Sequence, residues 1–254
     1  MNDLPQQIAA KKGELDRLRA QSPHALGNLE HVHDLELTYT SNAIEGNTLD
    51  AAETTLVIEQ GITIGGKPLK DHLEAIDHHE AIGYVRDLAR LAMPLTEADV
   101  RALHSLIVKR SAPDIAGRYA DRGRYVLTDA GRHSFPSPAE VPALMGDFAA
   151  WLCGVPATPE TAFVAHRRLA DIHPFNDGNG RTARLLMNLV LIRGGYPPVA
   201  VRPEDRPAYI RALQEAQAGR GAEAFNSLLL ERLDATLSEY ITALRAVTST
   251  PKDG

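Results

Sequence analysis

The chain has 254 residues, 44% of them hydrophobic and 24% charged, with a net charge of −6. That size and balance fit one medium domain with a sizeable core and argue against a general nucleic-acid partner. One cysteine (Cys153), no hydrophobic leader and no apolar run of about 18 residues leave a cytoplasmic protein without disulfides or membrane contact as the expectation.

Gln6 to Arg19 reads as a charged helix with a thin apolar set of Ile8, Leu15 and Leu18, broken at Ser22-Pro23. A more amphipathic helix follows, in which Leu29, Val32, Leu35, Tyr39 and Ala43 recur at three- and four-residue steps. His31 and His33, two residues apart on it, point to different faces, so they read as solvated or capping groups and not as a metal pair. Gly46 stops this helix, and Asp50 with Glu53 forms a capping box that opens the next, through Ile58. Gly61 to Pro68 is a glycine-rich turn that lacks the Gly-Lys-Ser/Thr ending of a phosphate loop, since Pro68 follows Lys67.

A helix from Asp71 to Leu91 carries His72, His78 and His79, read as surface or interface residues. Thr96 and Asp99 open another, Glu97 to Lys109. Pro113 to Pro136 has no helical period. Within it, Arg124–Thr128 has strand composition, Asp129-Ala130-Gly131 reads as a turn, and His133–Phe135 can return as a second strand. Ser137, Pro138 and Glu140 look like a helix start, continued by Met145, Phe148, Ala149 and Leu152, with Cys153 as a buried inert thiol. Thr158-Pro159 begins a helix that delivers His173. After the segment 173–184 comes a run that is apolar nearly all round (Leu185, Leu186, Met187, Leu189, Val190, Ile192), expected to be the buried central helix. Gly194–Pro198 ends it, helices over Pro207–Ala218 and Glu223–Ala246 follow, and Ser249–Gly254 reads as a frayed tail. The expected fold is all-α with one β-hairpin.

The segment His173–Arg184, HPFNDGNGRTAR, concentrates the chemistry. Glycines before a helix N-terminus leave backbone N–H groups and the positive end of the dipole free for an anion. Arg181 and Arg184, at i and i+3, add forked donors suited to phosphate oxygens. Asp177 can hold Mg²⁺, and His173 can move a proton. A calcium loop is the competing reading of Asp177-Gly178-Asn179, but the acidic spacing and closing glutamate are missing.

The whole string is similar to the signature of the Fic family, HPFxDGNGRxxR, at every fixed position. The resemblance covers about Leu35 to Gly221. It implies a Fic-type helical bundle with a short β-hairpin flap, and transfer of AMP from Mg-ATP to a Ser, Thr or Tyr hydroxyl of a target protein. By that likeness His173 is the base and Asp177 the Mg²⁺ ligand. Gly178, Asn179 and Gly180 would cradle α- and β-phosphate oxygens, and Arg181 and Arg184 would hold β- and γ-oxygens. Gly180 stands where kinase-like relatives have lysine, which keeps the AMP-transfer pattern. Tyr209 and Gln217 fall on the base side of ATP, with Gln217 where the family often has Asn and Ile210 where relatives show a second aromatic.

Ser41-Asn42-Ala43-Ile44-Glu45-Gly46 resembles the family's inhibitory motif, [S/T]xxxE[G/N], placed before the core. It implies that Glu45 pairs with Arg184 and obstructs the γ-phosphate. Tyr125, Val126, Leu127 and Thr128 fall where the family has the flap that positions the target by strand addition. The implied organisation is an N-terminal helical segment over 1–90 including 41–46, a catalytic core over 91–195 with its flap at about 117–136, and C-terminal helices over 196–254. Family likeness also allows self-modification, homodimerisation and removal of AMP. The alternatives are a Fic-type transferase with another nucleotide or phosphodiester donor, and a non-catalytic interaction module, which has no need of His173, Asp177 and both arginines together.

Overall fold

The structure, a computed structural model, describes residues 4–21, 23–91, 93–128 and 131–248. The expected turn at Asp129-Ala130, the break at Ser22 and the tail over 249–254 lie outside the described residues. Helix α8 (Asn179–Arg193) forms the centre of the molecule. Its Leu185, Leu186, Met187, Leu189, Val190 and Leu191 are all buried, as an all-round apolar helix must be, whereas Ile192 is only half-buried. Fully burying each such side chain contributes about 1.5–3 kcal/mol. Around α8 pack α7 (Pro159–Ile172), α4 (Leu69–Arg90), α5 (Glu97–Ile107) and the end of α2 (Pro23–Ile44). Helix α1 (Leu4–Gln21) lies along α10 (Glu223–Thr248), α3 (Ala51–Gln60) covers α4, and α6 (Val141–Gly154) and α9 (Arg206–Gln217) flank α7. No helix among the described residues is long and apolar enough to cross a membrane.

Local signals set several boundaries. Asp50 and Glu53 form the expected reciprocal cap of α3, and Thr96 with Asp99 does the same for α5. Ser137 and Glu140 bond each other, but the turn they make precedes α6, which begins at Val141. The one sheet among the described residues is an antiparallel hairpin. Strands β1 (Tyr125–Thr128) and β2 (Gly131–Ser134) pair Tyr125 with Ser134, Val126 with His133 and Leu127 with Arg132.

Three expectations from apolar spacing are corrected. The buried face of α2 is not the Leu29–Val32–Leu35–Tyr39–Ala43 stripe: Val32 is 61% exposed. His33, Leu37, Thr38, Thr40, Ser41 and Ile44 turn inward instead, because α2 docks through polar side chains onto the charged start of α8. On α4, His72 and His78 are buried and not surface residues. The ring of His72 accepts the Ile64 N–H at 2.8 Å and so donates to the Pro68 carbonyl at 2.9 Å, which fastens the 61–68 turn to the helix. Cys153 is exposed, since Met145, Phe148 and Leu152 take the inward face of α6.

Candidate active site

The 173–178 loop joins α7 to α8 and is held by its own residues. His173 caps α7 in the left-handed region (φ 48°) and is the only non-glycine with positive φ among the described residues. Such a conformation costs on the order of 1–2 kcal/mol, and packing must hold it. Asn179 turns its side chain back into the loop: its amide nitrogen donates to the Phe175 carbonyl at 2.7 Å, and its oxygen accepts the Phe175 N–H at 2.9 Å. Asn179 therefore braces the loop with both ends occupied and does not present its side chain to a phosphate. Gly178 is also left-handed (φ 76°), and a Cβ there would press on Val108 and the His104 ring. The first intrahelical bond of α8 runs from the Thr182 N–H to the Gly178 carbonyl, so the amides before it open at the helix N-terminus.

His104, unremarked in the sequence, is the loop's second brace. Its Nδ1 accepts the Gly117 N–H at 3.0 Å, which leaves the proton on Nε2 to donate to the Asp177 carbonyl at 3.0 Å. Its ring lies flat on Phe175, with centroids 3.6 Å apart and planes 3° apart. Burial pushes its pKa down to about 4, so the neutral form persists.

A cavity of about 190 Å³ opens beside this loop. Among the residues singled out from the sequence, Glu45, Val126, His173, Gly180, Arg184, Tyr209 and Gln217 all line it. Phe135, His166, Ala170, Ile210, Leu213 and Gln214 complete the wall. Burial lowers the pKa of His173 to about 4 against the opposing effect of a bond to the Ala170 backbone, so its imidazole is neutral near pH 7. The Phe135 ring stacks on it at 3.8 Å, 10° from parallel. Phe135 is anchored in turn, since its N–H donates to the Arg124 carbonyl at 3.1 Å and Arg124 donates to the Pro136 carbonyl at 2.7 Å.

Arg184 is buried and fully engaged. Its Nε donates to Ser41 Oγ at 3.0 Å, and its Nη2 donates to the Ser41 carbonyl at 2.8 Å and to Glu45 Oε1 at 2.7 Å. Burial opposes its charge, but Glu45 and Tyr209 beside it hold its pKa above the usual value. Tyr209 is buried and its hydroxyl lies 2.6 Å from Nε2 of His166, whose pKa burial lowers to about 3. The Tyr209 hydroxyl thus bridges Arg184 and a neutral histidine, so it is a polar strut and not only an aromatic wall. A Cβ on Gly180 would overlap the Glu45 carboxylate, so a larger residue there would make that carboxylate shift over the first turn of α8.

The remaining expected residues lie around the cavity without lining it. Asp177 is half-exposed, and its Oδ1 accepts the Gly178 N–H at 2.6 Å. Arg181 is 3% exposed on the side chain and points to α4, with Nη1 3.2 Å from Glu74 Oε1 and Nη2 3.9 Å from Asp177 Oδ1. On the hairpin, Val126 faces the cavity, while Tyr125 and Leu127 face outward at 52% and 77% exposure. The guanidinium of Arg132 lies over the Tyr125 ring at 4.1 Å. Elsewhere His33, Glu36 and Glu239 bring three potential metal-ligand atoms within 4.8 Å, but Arg202 already neutralises both carboxylates at 3.1 and 3.4 Å.

Residues 94–191 match the Fic/DOC family. Among curated relatives, "Protein adenylyltransferase Fic" of Nematostella vectensis is 37% identical over 186 residues, 71% of this chain and 43% of that one. The protein of the same name from Aedes aegypti is 33% identical over 224 residues, 86% of this chain and 44% of that one. The chain therefore spans less than half the length of these curated relatives. A Fic domain containing signaling protein from Bacteroides thetaiotaomicron superposes with a TM-score of 0.87 at 31% identity, covering 94% of this chain and 97% of that one.

Proposed function

Given that this chain belongs to the Fic/DOC family, we propose that it transfers AMP from ATP to a hydroxyl of a target protein. The observation that carries the reading is the convergence of His173, Gly180, Arg184 and Tyr209 on one cavity at the N-terminus of a buried helix. The curated relatives' name, protein adenylyltransferase, points the same way.

His173 is neutral and faces the cavity, so one ring nitrogen can take the proton of a Ser, Thr or Tyr hydroxyl while the other side of the ring is fixed by Phe135 and the Ala170 backbone. The oxygen then bonds to the α-phosphorus as the bond to pyrophosphate breaks, and the proton remains on His173. Open amides at the start of α8 receive phosphate oxygens, a fixed donor array that needs no reorganisation during the step. Asp177, one half-exposed carboxylate at the cavity's edge, suits Mg²⁺, which binds through one or two carboxylates plus substrate phosphates and would neutralise charge there. Gln217 and Ile210 offer a mixed polar and apolar wall for the base. The outer edge of β1 can pair with an extended target segment, which places its hydroxyl toward His173.

In the resting chain Glu45 occupies Arg184 and sets a carboxylate where the γ-phosphate would come. Glu45 is thus read as a brake. Incubation of the full chain carrying Glu45→Gly with Mg-ATP and a lysate, followed by peptide mass spectrometry, tests the donor and the acceptor together. AMP on Ser, Thr or Tyr side chains supports the reading. UMP or phosphocholine adducts from competing donors, with none from ATP, would overturn it.

A further inference from the structure

We propose that Glu74 is a positioning residue of the brake, holding Glu45 and Arg184 in register through Asn47 on one side and Arg181 on the other. This rests on the reading of Glu45 given above. Glu74 is buried on α4, outside the cavity, and neither signature motif includes it. Its two oxygens serve different segments. Oε2 accepts the Asn47 side-chain N–H at 3.2 Å, and Oε1 lies 3.2 Å from Arg181 Nη1. Asn47 is two residues beyond Glu45, and Arg181 is one helical turn before Arg184. One buried carboxylate therefore bridges the chain segments that carry the two halves of the Glu45–Arg184 pair.

Glu45 needs such external support. Its side chain is 41% exposed, so packing does not fix it. Gly46 after it has φ 95°, a residue of high conformational freedom. The stiffness of the turn comes from Asn47, which also donates to the Asp71 carbonyl at 3.0 Å and accepts the Leu49 N–H at 3.1 Å. Asp71 adds a bond from the Thr48 N–H at 2.8 Å. Leu49, Val57 and Ala75 form an apolar cluster separate from the main core, so the turn after Glu45 is packed on α4, and Glu74 adds a link to α8 beside the direct bonds of Ser41 and Glu45 to Arg184. On the other arm, neither Nε nor Nη1 of Arg181 makes a hydrogen bond, so Glu74 holds the guanidinium as an ion pair at 3.2 Å, while Asp177 stands 3.9 Å from Nη2. Glu74 keeps that guanidinium on α4 and away from the Asp177 carboxylate.

The test is a double-mutant comparison of AMP labelling by the full chain, from α-labelled ATP at saturating concentration. In the background with Glu45 intact, Glu74→Gln and Asn47→Ala should each raise self- and target labelling on the order of tenfold, below the gain from Glu45→Gly, because a shift of about 1 Å is worth up to about 10²-fold. In the Glu45→Gly background neither should raise it further. Asn47→Ala keeps the buried Arg181 paired with its carboxylate, so it carries the test even where Glu74→Gln folds poorly. Damage to the fold lowers labelling in both backgrounds and cannot produce a gain that depends on Glu45. Labelling unchanged or reduced by Asn47→Ala, or altered by one factor in both backgrounds, overturns the coupling. If Glu45→Gly itself brings no gain, the brake fails and the coupling falls with it.

Discussion

The Phe135 ring lies 3.8 Å from the imidazole of His173, within 10° of parallel. Phe135 directly follows β2, so the hairpin that would present a target is anchored beside the ring that would deprotonate it. Replacement of Phe135 by Leu keeps the apolar volume but removes the flat surface. In a Glu45→Gly background, Phe135→Leu should lower the transfer rate about tenfold, within the range expected for a slightly misplaced reacting group, while ATP affinity stays the same. Phe135→Tyr should retain most of the rate. A kinetic series in which Leu matches Phe would show that stacking does not position the base.

The low pKa of His173, about 4 through burial, has a direct kinetic consequence. A base already neutral at pH 6 gains nothing from further rise in pH. Transfer by the released form should be flat from about pH 6 to 8 and fall only below about pH 5. An acid limb centred near 6.5 would mean an exposed, unperturbed imidazole.

His104 and His166 carry the same asymmetry into stability. Both are fully buried, with pKa values lowered to about 4 and about 3. The unfolded chain takes up protons on these rings near pH 6.5, and the folded chain does so only near 4 and 3. Their contribution is therefore complete above about pH 6.5 and declines as pH falls toward the folded values, by up to about 1.4 kcal/mol per pH unit for each ring. Urea unfolding at pH 7 and pH 5 should show this decline, and His166→Phe should reduce it. His104→Ala should cost about 2–4 kcal/mol at pH 7, because it opens a cavity beneath Phe175 and strands the Gly117 N–H and the Asp177 carbonyl. A loss below about 0.5 kcal/mol would show that the loop does not depend on this brace.

The helices, the hairpin and the cluster around His173 were legible because each has a short-range cause. Asp50 and Thr96 cap their own helices, the run after Arg184 is apolar on every face, and the signature sits in consecutive residues. The pairing of Glu45 with Arg184 was also anticipated, although 139 positions separate them, because a family motif stood in for distance. What escaped was set by tertiary contact alone. His104 and Glu74 carry no local pattern; their meaning appears only when α5 and α4 close on the 173–178 loop. Arg181 and Asn179 look like phosphate ligands in sequence, yet one turns to Glu74 and the other folds back on Phe175. Spacing misjudged α2 for the same reason, since its inward face is polar to suit Arg184.

If this cavity transfers AMP and Glu45 restrains it, the carboxylate and imidazole variants must separate in one assay. The most direct measurement is incorporation of label from α-labelled ATP into protein by the unchanged chain, by Glu45→Gly and by Glu45→Gly with His173→Ala, at matched saturating Mg-ATP. Little label is expected from the first. A rise of about 10²-fold is expected for the second, and a return to the low level for the third, with loss of the base costing about 10²–10⁴. Equal incorporation by the first two, or full incorporation by the third, would contradict this reading.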